Sequence, residues 1–255
     1  MTATDGGGAG NEAGAPGRGW EEIAPGVVRR RLSGWDETVG AVSGPGGTLL
    51  VDAGPSLAAG AALRAQLAER GWPPVRWLAV THPHFDHLLG AGAFADAEVL
   101  AAAGRRPPWT RGDAEVAGDA VAQGVDRAAA ERSAAALPEP GRLVADRLTL
   151  PLGGGRAAEL VSLGAAHSGH DLVVAVRDGG AEPSVVFCGD LVEESGEPQA
   201  GSDAEPARWP AALDRLLALG GERAAYVPGH GAVVDAAFVR AQRAALARRF
   251  GVPDG

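Results

Sequence analysis

The stretch Thr81-His82-Pro83-His84-Phe85-Asp86-His87 decides how this chain is read. It places three imidazoles and a carboxylate within six residues, directly after the apolar run Val75–Val80. In extended backbone, side chains two apart point the same way, so His82 and His84 can grip one ion. Pro83 stiffens the segment and removes a backbone donor. Asp86 and His87, past the bend, can grip a second ion nearby. Imidazole together with carboxylate suits a borderline divalent ion such as zinc. Four such groups crowded together without an ion would be costly to bury.

The remaining histidines extend the pattern. The chain has six, and all fall within three short motifs. The second and third are Ala166-His167-Ser168-Gly169-His170-Asp171 and Pro228-Gly229-His230-Gly231. His167 follows an expected strand at Leu160–Leu163, and His230 follows Tyr226-Val227. A centre with two ions also needs a carboxylate that both can share. Asp190, in Phe187-Cys188-Gly189-Asp190-Leu191, stands at an expected strand end after a glycine that permits close backbone approach. On its own Asp190 reads as a turn residue; beside three histidine motifs it reads as a ligand.

Composition narrows the function classes. At 255 residues with 45% hydrophobic content, the chain can bury a sizeable core. Its net charge is −9, and its basic residues, all arginine, form only short clusters such as Arg29-Arg30-Arg31 and Arg248-Arg249. Nucleic-acid binders normally carry a basic stripe, so nucleic acid is not the expected partner. Cys188 is the one cysteine, which excludes an internal disulfide, and it is expected to point into the core. Residues 1–18 have little to bury and no apolar signal core, and read as a disordered tail. No apolar run reaches the roughly 18–20 residues of a membrane span. The expectation is a cytoplasmic protein acting on a small molecule, with no membrane association and with its oligomeric state left open.

Residues 19–255 read as a single α/β domain. Strands are expected at 27–32, 38–43, 48–52, 75–80, 98–100, 143–150, 157–163, 172–176, 184–188 and 224–227. Helices are expected at 56–70, from about Asp86, at 207–219, and at 235–250 with Asp235 as N-cap. Residues 104–140 form a polar, Ala-rich helical insertion with the weakest core signal of the ordered chain. It is expected to pack over the site or to present a partner surface. The histidine motifs stand beside strand ends, where a layered α/β fold carries its site. Trp35 and Trp109 read either as pocket walls or as edge-packed tryptophans.

The first motif resembles the signature of the metallo-β-lactamase superfamily of hydrolases. The other parts agree in order: Val51-Asp52-Ala53-Gly54, His167 followed by a small residue and Gly, Gly189-Asp190, and Pro228-Gly229-His230-Gly231. The likeness spans about residues 22–235, and an ordered set of five parts is far more specific than any one motif. It implies a four-layer αβ/βα sandwich with the site at the edge of two packed sheets. It also implies two zinc ions, with iron or manganese as the alternatives. By this resemblance His82, His84 and His167 hold one ion, Asp86, His87 and His230 hold the other, and Asp190 bridges. Asp52 either supports the ligand loops from behind or is a strand-end turn residue.

Two such ions about 3.5–4 Å apart share a water and lower its pKa towards 7. The implied function is a binuclear zinc hydrolase whose bridging hydroxide cleaves a small ester, lactone or thioester, with Asp86 orienting the nucleophile. Departures from relatives narrow this further. The commonest zinc β-lactamases have Cys in place of Asp190 and Lys in place of Glu193. Glu193 repels an anionic substrate, which disfavours a β-lactam and suggests a neutral or cationic one. Glyoxalase II-like thioesterases add a helical C-terminal domain, whereas about 25 residues follow His230. Lactonases often use a tyrosine; the only one here, Tyr226, reads equally as a strand aromatic.

The alternatives are an iron-dependent redox or dioxygenase member of the same fold and a β-lactamase-like amide hydrolase. His84 stands where diiron electron-transfer members have Glu, which favours hydrolysis. His170 either lines the pocket or hydrogen-bonds a ligand. Asp171 lies four after His167, where β-lactamases place a substrate-binding Asn, and either orients substrate or caps a turn.

Overall fold

The central strands are apolar at nearly every position because both of their faces are covered. The computed structural model describes residues 19–180 and 182–253, so the expected tail at 1–18 lies outside the described residues. One sheet contains, in this order, β1 (Glu21–Ala24), β2 (Val27–Arg31), β3 (Thr38–Gly44), β4 (Gly47–Val51), β5 (Val75–Ala79), β6 (Glu98–Ala102) and β7 (Arg142–Val144). The other contains β8 (Arg147–Gly153), β9 (Arg156–Gly164), β10 (Asp171–Asp178), β11 (Val185–Glu193) and β12 (Ala225–His230), ordered β12-β11-β10-β9-β8. The helices are α1 (Leu57–Glu69), α2 (Phe85–Leu88), α3 (Ala114–Ala122), α4 (Arg127–Ala135), α5 (Trp209–Gly220) and α6 (Ala236–Phe250).

Alternation along the strands builds the layers. Leu50 of β4 and Leu78 of β5 face Leu63 and Leu67 of α1, in one apolar cluster with Ala120 and Ala130 of α3 and α4. Their neighbours Leu49, Val51, Trp77 and Ala79 face the opposite way and cluster with Leu172, Val174 and Val176 of β10. Between those β10 residues, Val173 and Ala175 point outward and join Leu213 and Leu216 of α5 with Val239 and Leu246 of α6. Three apolar interfaces thus separate four layers, an αβ/βα sandwich. Side-chain caps start several helices: Ser56 accepts from the Ala59 amide, Asp126 from Ala129, and Asp235 from Phe238.

The structure corrects several expected boundaries. The strand expected at 143–150 is two strands in different sheets: β7 pairs with β6 and β8 with β9. Local pattern cannot reveal that change of sheet, because each piece alternates in the same way. Strands expected to stop at 188 and 227 continue as β11 to Glu193 and as β12 to His230. The β11–β12 pairing runs past Gly189 and Pro228-Gly229 and absorbs them through register shifts at Phe187/Gly189 and Gly189/Glu193. The insertion at 104–140 also contributes more to the core than its sequence suggested. Trp109, Ala120, Ala130 and Leu137 are all buried. Alanines give little periodic signal but let helices pack closely.

Candidate metal centre

Each expected ligand sits at or near a strand end, or in the short helix that follows one. His82 and His84 lie in the turn between β5 and α2, with His84 at the N-cap of α2, and Asp86 and His87 occupy its first turns. His167 lies in the loop between β9 and β10, Asp190 inside β11, and His230 at the last position of β12. Tertiary packing brings these segments together. His82, His84, His167 and Asp190 offer ligand atoms within 4.8 Å of one another, and so do Asp86, His87 and His230. Asp190 forms a third such group with Glu193 and His230, which ties the two sets together.

Every one of the five clustered histidines has one ring nitrogen facing an acceptor outside the cluster. His87 Nδ1 lies 2.9 Å from Asp52 Oδ2, and His230 Nδ1 lies 2.7 Å from the Trp35 carbonyl. His167 Nδ1 lies 3.1 Å from the Gln199 carbonyl, and His84 Nε2 lies 3.2 Å from Asp203 Oδ2. His82 Nδ1 lies 3.0 Å from Thr81 Oγ1, whose own proton goes to Asp52 at 2.8 Å. With protons on these outward nitrogens, the other five nitrogens turn lone pairs into the cluster. Such outer acceptors orient a ligating imidazole and raise its basicity.

The inward atoms fit a divalent cation. His84 Nδ1 and His167 Nε2 stand 3.1 Å apart, and His87 Nε2 and His230 Nε2 stand 3.3 Å apart. Facing lone pairs at such distances repel unless positive charge lies between them. Among the described residues, His82 Nε2 and Asp190 Oδ1 are buried with no hydrogen-bond partner. Asp190 Oδ1 is 3.1 Å from His87 Nε2, a close ionic approach that lacks hydrogen-bond geometry. Orphaned buried polar atoms are costly, and a metal removes that cost.

Electrostatics describe the same crowding. Burial alone would raise the Asp190 carboxyl, but His87, His82 and His230 outweigh it and hold it well below the usual range. Burial would lower His230, yet Asp190 and Asp86 push it up to about 11. Burial lowers His167 to about 4 and takes His82 well below its ordinary value. The metal-free cluster therefore splits into charged and neutral imidazoles around its carboxylates.

Other sequence candidates fall outside this cluster. Asp171 is buried and accepts from the Ala166 and Ser168 amides and the Ser168 hydroxyl, so it caps the loop that carries His167. Its burial pushes the carboxyl up to about 7. His170 turns Nε2 to the Arg106 carbonyl at 2.9 Å and ties the insertion to the same loop. Tyr226 donates its hydroxyl to the Gly221 carbonyl, and Trp109 donates to the Pro138 carbonyl within the core. Cys188 is buried, which pushes its thiol up. Asp52 holds φ +62° directly after β4 and accepts from the Thr81 amide at 2.7 Å. It thereby joins the β4 end to the first histidine motif.

The sequence reading missed two carboxylates. Asp203 lies in a Gly/Ser-containing loop with no local motif, and only the fold brings it to His84. Glu37 is fully buried beside the cluster, and among the described residues neither of its carboxylate oxygens has a hydrogen-bond partner. Burial, with help from Asp86, pushes its carboxyl up to about 8. It stands just before β3 in a bridge to His230, and a charged residue there is usually exposed, so nothing local marked it.

A cavity of about 510 Å³ opens over the cluster, walled by Trp35, Phe85, Glu193 and Asp203 and by Asp119 of α3. Four layers with a buried His–Asp cluster at the strand ends are the architecture of a metallo-hydrolase. The model of the metallo-beta-lactamase superfamily matches residues 34–230, and the chain belongs to that superfamily.

Solved structures agree on the fold. The metallo-beta-lactamase of Pontibacter korlensis superposes with a TM-score of 0.66 at 20% identity, covering 89% of this chain and 98% of that one. The metallo-beta-lactamase FIM-1 of Pseudomonas aeruginosa, in its mono-zinc form, gives 0.64 at 19% identity, covering 92% and 96%. That of Hirschia baltica gives 0.63 at 16% identity, covering 93% and 99%. Among the described residues, no helix is long and apolar enough to cross a membrane.

Proposed function

We propose that this chain is a binuclear zinc-dependent hydrolase of a small ester, lactone or thioester. The observation that carries this reading is the sharing of Asp190. It stands within 4.8 Å of the donors of His82, His84 and His167 and, in a further group, of those of Glu193 and His230. In this reading His82, His84 and His167 hold one ion, Asp86, His87 and His230 the other, and Asp190 both. Bound divalent ions would supply Lewis acidity, lowering the pKa of a nearby water and polarising the scissile carbonyl.

The chain's own residues do the rest. Asp52, Asp203 and the Gln199 and Trp35 carbonyls keep the imidazoles aimed inward. Asp86, in the pocket wall, orients the attacking water. The water oxygen bonds to the carbonyl carbon, the carbon–oxygen or carbon–sulfur bond breaks, and the proton leaves with the alcohol or thiol. The buried Cys188 takes no part.

The test is metal analysis of the purified protein together with a screen of lactones, thioesters, aryl esters, phosphodiesters and β-lactams. Two zinc per chain with turnover of an ester, lactone or thioester, abolished in Asp190→Ala, supports the reading. Iron in place of zinc, or cleavage of β-lactams alone, overturns it. So does undiminished turnover in Asp190→Ala.

A further inference from the structure

Apart from the cluster's own histidines, the titratable side chains that line the cavity are acidic. Two of its carboxylates, Asp86 and Asp190, belong to the candidate metal cluster. Three more, Asp119, Glu193 and Asp203, stand outside the two main ligand sets. Among the described residues no arginine lines the cavity, and the chain has no lysine. Beyond the cluster, the wall sets these three carboxylates and the rings of Trp35 and Phe85 among neutral side chains such as Gln123, Ser195 and Gln199.

The carboxylate of Glu193 is held in place. Its backbone amide donates to Gln242 Oε1 at 3.0 Å, and one carboxylate oxygen accepts from Ser195 Oγ at 2.9 Å. Asp203 is held by His84. Trp35 and Phe85 meet edge to face, with centroids 5.3 Å apart, and both line the same cavity. Aromatic faces beside fixed carboxylates attract organic cations, and a cleft lined by one sign of charge concentrates the opposite sign. Asp190, which the cluster would hold against an ion, also lines the cavity, so a molecule bound there lies directly over the candidate metal site.

We propose that this pocket selects esters carrying an ammonium group, held by Glu193, Asp119 and Asp203 against the Trp35–Phe85 wall, over neutral and anionic ones. The proposal rests on the hydrolase reading of the site and names its substrate class.

The experiment compares three acetate esters on the zinc-loaded enzyme: that of choline, its uncharged carbon isostere, and one ending in a carboxylate. The choline ester is expected to exceed the isostere about 10-fold in kcat/KM, equivalent to about 1.4 kcal/mol, with the anionic ester slowest. In Glu193→Gln/Asp119→Asn the ratio of cationic to neutral ester is expected to fall towards one. Zinc content is measured alongside. If the double variant loses metal, Asp119→Asn alone is used, and an undiminished ratio there counts against the proposal. A ratio of one or below in the parent enzyme overturns it, as does an unchanged ratio in the double variant.

Binding of the corresponding ketone analogues, with a methylene in place of the ester oxygen, is followed by calorimetry. Tighter binding of the cationic ketone without hydrolysis of any ester keeps the charge selectivity and removes the hydrolase reading. Hydrolysis with no charge preference does the reverse.

Discussion

Asp52 Oδ2 lies 2.9 Å from His87 Nδ1, across 35 residues of sequence, and the same carboxylate oxygen accepts from the Thr81 hydroxyl. One carboxylate therefore orients an inward-facing imidazole and fastens the turn that carries His82 and His84. This arrangement requires Asp52 to hold a left-handed backbone at φ +62°, a conformation that Asp tolerates better than most residues. In Asp52→Asn the anion is lost and His87 loses its charged partner. Zinc affinity is expected to fall about 10–100-fold, read by competition with a chromophoric chelator. Unchanged affinity would show that His87 is oriented by packing alone.

Gly229 leaves room for Asp190. A Cβ there would fall 1.8 Å from Asp190 Oδ1 and 2.8 Å from the Gly189 carbonyl carbon, and backbone cannot yield that far. Gly229→Ala is expected to displace the Asp190 carboxylate, lower the bound metal below that of the parent, and cost about 1–3 kcal/mol from overpacking. Gly169→Ala serves as the control, since nothing lies within 4 Å of a Cβ there. Equal metal content in both variants would refute the steric argument.

His170 and His167 separate by role. His170 reaches the Arg106 carbonyl, whereas the inward nitrogen of His167 faces His84. His170→Ala is expected to retain the parent's full metal content while raising KM, because the base of the insertion loosens. His167→Ala is expected to lose metal. Elemental analysis of both variants decides the point, and metal loss in His170→Ala would contradict the assignment.

Glu159, on β9 away from the cluster, links pH to stability. Burial alone would raise its carboxyl, but Arg177 and Arg147 outweigh this and hold it below its ordinary value. A depressed folded-state pKa means that the unfolded chain binds the proton more readily. This stabilisation is therefore present above the unfolded pKa of about 4.5 and is lost as pH falls through the folded value. Glu159→Gln is expected to cost about 1–2 kcal/mol at pH 7, and little once the carboxylate is protonated in strong acid. Urea melts across that range test it; an equal cost at both ends would mean that the loss is not ionic.

Much of the fold was legible because burial repeats along the chain. Runs such as Leu49-Leu50-Val51 and Leu172 to Val176 announced central strands, since residues of alternating direction were apolar on both faces. The ordered histidine motifs marked the candidate ligands because imidazoles and carboxylates at those spacings seldom gather without a cation to share. Strand ends hidden by Gly189 and Pro228-Gly229 were misjudged, since a partner strand stabilises what isolated sequence would break. The change of sheet between β7 and β8 was missed for a similar reason, because pairing depends on neighbours.

The sequence by itself therefore determined the layered α/β class, the superfamily and the candidate donor atoms. Tertiary structure alone decided which acceptors stand behind those donors. Asp203, Gln199 and Trp35 reach His84, His167 and His230 from segments 32 to 195 residues away. It also placed Asp119, Glu193 and Asp203 around one cavity, which gives the pocket its charge. The physical reason is range. Periodicity and donor chemistry are written locally, whereas hydrogen-bond partners and pocket walls arise only when distant loops are packed against one another.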